Sequence, residues 1–268
     1  MKKRLSFLIA AILVLAFVLS GCGSDPYKGD YKEISEEQAE EYSDRLSGLD
    51  EVISGKSLKT EYSINGKEGS TKVEMSGTTL SDLSDPDNMK AYETMSMKMT
   101  TENGTYKVSL KAYTDQKADK TLVEIKASAP GKDDYSFKGQ MTNAFEAIQE
   151  LFGSSEVDIG DVMSMLEEML GELSELDDTK VYVDGDKIKV VFESTESGAT
   201  DKGEIYVVAN KDDFRCKFSE TVSQDSYEYT TKLEVALSAD KVSIPTSGYD
   251  QTMSMGEFQT TISTYMGY

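Results

Sequence analysis

Between Tyr106 and Ala112 the residues alternate. Tyr106, Val108, Leu110 and Ala112 share one side of an extended backbone, and Lys107, Ser109 and Lys111 the other. A period of two is the side-chain period of a strand, and one apolar side against one polar side marks an antiparallel sheet with one face buried. This pattern constrains the fold because it recurs. It predicts strands over 57–65, 69–77, 94–101, 104–114, 120–128 and 133–141. It returns over 179–184, 187–194, 203–209, 213–222 and 226–237. Asn65-Gly66, Asn103-Gly104 and Asp184-Gly185 have the preference for positive φ that tight hairpins need, and Pro130-Gly131 marks another turn.

Three stretches follow helical spacing instead. Ser35-Glu36-Glu37-Gln38 reads as a capping box that opens a helix over 35–54, ended by Gly55. Residues 142–152 place Phe145, Ile148, Leu151 and Phe152 on one side. Residues 159–176 do the same with Met165, Leu166, Met169, Leu170 and Leu173. The last two are too apolar for solvent and are expected to pack on a sheet face. The tail beyond Pro245 is mixed and fits either a docked helix or a strand. The expected class is α+β: one strongly curved antiparallel sheet of about eleven strands. An N-terminal helix precedes it, and helices 142–152 and 159–176 lie on its concave face.

Composition excludes much chemistry. The chain has no histidine, which removes Ser-His-Asp and Cys-His catalysis, histidine-bound zinc and a histidine pH switch. No carboxylate pair stands out from the many acids. No catalytic residue, metal ligand or cofactor is assigned, and a non-enzymatic role is expected. The net charge of −21 disfavours nucleic acid and anionic headgroups, so neither is expected to meet a basic face. Cys216 alternates with Phe214 and Phe218, and without a histidine to activate it the expectation is a buried, inert thiol.

The N-terminus combines Lys2, Lys3 and Arg4 with an apolar run, Leu5 to Leu19, and then Leu19-Ser20-Gly21-Cys22. Fifteen residues fall short of the roughly 20 that span a bilayer. The constellation resembles a bacterial lipoprotein signal. In that resemblance Leu19, Ser20 and Gly21 form the peptidase recognition site, and Cys22 takes a diacylglyceryl group. It implies a leader over 1–21, a flexible tether over 22–32 and a single β-rich domain over 33–268. Loss of Lys2, Lys3 and Arg4 takes the net charge from −21 to −24. The acyl chains on Cys22 are then the expected hold on the extracytoplasmic face of the cell membrane. Cys216 is left without a disulfide partner.

The order helix, six strands, two helices, five strands, tail resembles the LolA and LppX/LprG-like lipoprotein group. That group folds as an unclosed half-barrel with helices on its concave side. The resemblance implies a hydrophobic cavity that carries acyl chains of a lipid or of another lipoprotein.

Methionine supplies the candidate lining. Met95, Met97 and Met99 share a strand face, and Met165 and Met169 share a helix face beside Phe145, Ile148 and Leu173. Flexible thioethers fill irregular cores, line deformable apolar pockets or, as a third reading, bind Cu(I). Residues 82–88 are acidic but lack the central glycine and terminal glutamate of a calcium loop. Tyr92, Tyr106, Tyr113, Tyr227 and Tyr229 fit either strand residues or a carbohydrate or peptide platform. The sequence thus favours a monomeric carrier of an apolar ligand; the alternative is a structural or interaction module without a cavity.

Overall fold

The computed structural model describes residues 26–35, 55–85, 88–118, 120–142, 179–196, 198–210 and 212–266. Two runs of strands form one sheet. The first comprises β1 (Lys32–Ile34), β2 (Ser57–Glu68), β3 (Thr71–Asp82), β4 (Lys90–Thr101), β5 (Gly104–Asp115), β6 (Lys120–Ser128) and β7 (Tyr135–Thr142). The second comprises β8 (Lys180–Asp184), β9 (Lys187–Glu196), β10 (Ala199–Ala209), β11 (Phe214–Gln224) and β12 (Tyr227–Ser238). A short β13 (Gln251–Ser254) leads into helix α1 (Met255–Met266).

The sheet has thirteen strands in the order β1-β8-β9-β10-β11-β12-β2-β3-β4-β5-β6-β7-β13. Its neighbours are antiparallel except β13, which runs parallel to β7. The two runs join where β12 pairs with β2, Leu233 opposite Tyr62.

This corrects the expected architecture. The sheet is open and has thirteen strands, not the eleven of the expected half-barrel. Among the described residues the helix packed on it is not one of the expected pair but α1, at the C-terminus, which contacts β5, β6 and β13. Alternation missed the two extra strands because three and four residues are too short to show a period. The expected helices 35–54, 142–152 and 159–176 fall wholly or almost wholly outside the described residues.

Register decides which side chains share a face. Residues opposite one another in an antiparallel pair point the same way. One face therefore carries Ile205, Phe218, Leu233, Tyr62, Gly77, Met95, Leu110, Ile125 and Phe137 in adjacent strands. Its centre is closely packed: Ile205 is 0% and Leu233 and Val235 are 2% exposed. Cys216 is buried between Phe214 and Phe218 in this layer, as their alternation places it. Burial pushes its thiol up to about 12.

Four glycines on this face sit under aromatic rings. A Cβ at Gly66 would strike the Tyr229 ring, at Gly77 that of Tyr62, at Gly139 that of Phe137 and at Gly203 that of Phe192. A strand glycine covered by a ring keeps the apolar layer continuous where the missing side chain would leave a gap. This explains why Asn65-Gly66 makes no hairpin. β2 runs through it, and the chain turns at Gly69, whose φ of 58° suits the turn.

The segment expected as a tether ends against the sheet. Tyr27 is buried and packs at 5.9 Å from the Tyr206 ring, with the Lys217 ammonium 5.5 Å from its own ring. Lys187 Nζ donates to Lys28 O at 2.7 Å.

Candidate functional site

Helix α1 makes the junction of interest. Ser254 and Glu257 form a reciprocal cap: Glu257 N donates to Ser254 Oγ at 3.2 Å, and Ser254 N donates to Glu257 Oε2 at 2.7 Å. Those donated hydrogen bonds hold the Glu257 carboxyl below its ordinary value. At the other end Lys132 Nζ donates to Thr264 O, and Tyr265 OH donates to Asp133 O at 2.9 Å. Pinned at both ends, α1 lies over the apolar face of β4 to β7. Met255 and Phe258 meet the cluster of Val123, Ile125, Met141 and Met253. Ile262, Tyr265 and Met266 meet Val108, Ala127, Met97 and Met99.

Beside the helix lies an open groove of ≈ 660 Å³. Tyr135, Phe137 and Met253 give it an apolar lining, and Ser254, Glu257, Thr260 and Thr261 give it polar groups. An apolar groove with a few polar groups is the ordinary form of a site for an amphiphilic guest.

The structure places the expected lining residues unevenly. Met95, Met97 and Met99 share the apolar face, opposite Leu110, Val108 and Tyr106. Met97 and Met99 lie by α1. Met95 stands apart and lines a second groove of ≈ 460 Å³, with Tyr62 and Leu110 beside Ser76, Thr94, Ser96, Ser109 and Lys111. Phe145, Ile148, Met165, Met169 and Leu173 lie outside the described residues, as do Leu19, Ser20, Gly21 and Cys22. Phe258, Ile262 and Met266 escaped assignment because the tail's helical spacing is interrupted by Gly256 and by threonines.

The tyrosines do not form one platform. Tyr92 and Tyr113 pair at 4.8 Å on the polar face, with Tyr249 at 6.4 Å from Tyr113. Tyr106, Tyr227 and Tyr229 point to the other face. Tyr249 OH donates to Glu124 at 2.7 Å, and Lys138 pairs with Glu124 at 2.9 Å. The Lys138 and Tyr249 hydrogen bonds hold the Glu124 carboxyl below its ordinary value.

Acids interrupt the apolar face at Glu93 and at the neighbouring Asp201 and Glu220. Burial raises the Glu93 carboxyl. Glu220 is 5% exposed, opposite Gly203 on β10, and burial with the nearby Asp201 carboxyl pushes it up to about 8. Burial raises Asp201 as well. Among the described residues none of these acids has a basic partner on this face, so the neutral acid is the form the surroundings favour. Among the described residues no group of three or more His, Cys, Asp or Glu could hold a metal ion. Asp82, from the acidic run 82–88, accepts from Ser84 and Lys241 instead.

No family model matches the chain, and no curated protein matches it. Among solved structures, a DUF1329 family protein from Desulfovibrio piger is 12% identical, over 76% of this chain and 94% of that one, with a TM-score of 0.25. At that score the likeness assigns neither architecture nor activity to this chain.

Proposed function

We propose that the protein is a lipid-anchored, extracytoplasmic and non-catalytic lipoprotein that holds an apolar chain against the sheet beside α1. The observation that carries this reading is the groove of ≈ 660 Å³ beside α1, where Tyr135, Phe137 and Met253 continue the apolar face towards Met97 and Met99. Thioether side chains adapt to guests of varied shape at little strain. The Leu19-Ser20-Gly21-Cys22 sequence supports the anchor and supplies acyl chains nearby. The absence of histidine supports binding without catalysis.

The test is native mass spectrometry of the gently extracted protein, followed by titration of the delipidated protein with a fluorescent fatty acid. A bound apolar species, and titration weakened by Met97→Lys, is the expected result. A protein that is ligand-free and does not bind the probe refutes the carrier reading and leaves the structural module. The close packing around Ile205, Leu233 and Val235 favours that second reading for the β9–β12 part of the sheet.

A further inference from the structure

The chain is acidic, yet its bases are not spread over it. β2 to β12 contain seventeen Lys and Arg, and the register sends every one to the polar face, against ten Asp and Glu there. The apolar face has acids alone, among them Glu68, Glu93, Asp201 and Glu220. Several bases are neutralised locally, such as Lys98 by Glu74 and Lys189 by Glu204. Others, including Lys202, Lys232, Lys107, Lys111 and Lys126, are exposed and make no ion pair among the described residues. Net charge therefore misdescribes this surface. Fields are screened over roughly 8–10 Å in physiological salt, so a partner at this face meets a local excess of positive charge.

The second observation is where the chain enters. Tyr27 docks on this same face, against Tyr206 and Lys217. Cys22 precedes Tyr27 by five residues, a reach of at most about 18 Å. An acyl group on Cys22 would lie within that reach of Tyr27 and the basic face.

We infer that the lysine-bearing face of the sheet docks on an anionic membrane surface, oriented by the acylated N-terminus through Tyr27. The partner is the layer of anionic lipid headgroups, met by ammonium groups and by the hydroxyls of Ser76, Ser96 and Ser109, which form one row across β3, β4 and β5. The inference rests on the lipoprotein reading proposed above, and it reverses the expectation that net charge forbids such docking.

The test uses the full chain expressed in a bacterial host and purified in its mature form. Intact mass reports acylation of Cys22 and so decides the anchor separately. The protein is then placed on vesicles of phosphatidylcholine alone or with one part in three phosphatidylglycerol. Amine acetylation is read lysine by lysine. Lys202 and Lys232 should label about fivefold more slowly on the anionic vesicles, and high salt should abolish the difference. Lys132, bonded to α1 across the sheet, should not change. In a Lys202→Glu, Lys232→Glu variant the protein should stay acylated and vesicle-bound but lose protection at Lys217. Equal labelling of acylated protein on both vesicles overturns the docking. Protection by soluble dextran sulfate but not by anionic vesicles also overturns it, assigning the face to a soluble polyanion. Missing acylation with protection intact overturns the anchor and leaves the basic face standing.

Discussion

Around β9 to β12 the apolar face is tightly closed: Ile205, Leu233 and Val235 are almost wholly out of solvent. On β3 and β4 the same face presents Met75, Met95, Met97 and Met99, all half-buried. Register and alternation are the same in both regions, so strand geometry does not cause the difference. Side-chain shape does. β-Branched and aromatic residues fill the first region and lose little freedom when packed, whereas unbranched thioethers fill the second and adapt. One region is built as a core, and the other is suited to contents that change.

Substitution can break that contrast. Leu233→Ala should cost about 2–5 kcal/mol in urea unfolding, because a packed site relaxes poorly around a cavity. Met97→Ala should cost about 1 kcal/mol, in keeping with its smaller buried area. Equal losses would remove the distinction.

Acidity sharpens it next. Burial and the neighbouring Asp201 carboxyl push Glu220 up to about 8 in the folded protein, above the ordinary 4.5 of the unfolded chain. Below the lower value both states hold the proton and stability is full. Between the two the folded state holds it alone, so stability falls as pH rises, and levels off above about 8. Glu220→Gln should remove this slope and gain of order 1–3 kcal/mol at pH 8 over pH 5, read from paired denaturant curves. An unchanged slope would move the titration elsewhere.

Gly203→Ala should cost roughly 1–3 kcal/mol, since the new methyl meets the Phe192 ring and the Ser219 carbonyl. A neutral result would show that the ring shifts freely. Smallest of all, iodoacetamide should leave Cys216 unmodified in the native protein and react only on unfolding. Fast native alkylation would show that the closed region opens.

The strands were legible because alternation is local. Tyr106, Val108 and Leu110 announce their face without knowledge of any neighbour. The hairpin at Gly69 was not, because Asn65-Gly66 has the stronger local signal and loses it to a ring on β12, far along the chain. α1 was half legible: its Ser254–Glu257 cap is written in four residues, but its apolar side is thin and depends on β5 and β6. The segregation of bases was also open to view, since each strand's lysines fall on its polar positions. A summed charge hid it, because a sum discards register.

The two ends of the sheet have a consequence of their own. An open sheet offers unpaired amides and carbonyls along both borders, a template on which other chains can extend. Here the border strands are β1, of three residues, and β13, of four, drawn from near opposite ends of the described chain. The long strands β8 to β12 and β2 to β7 are all internal. The outermost ladders are therefore too short to seed growth by strand addition. Removing either short segment should expose β8 or β7 and make the domain prone to self-association.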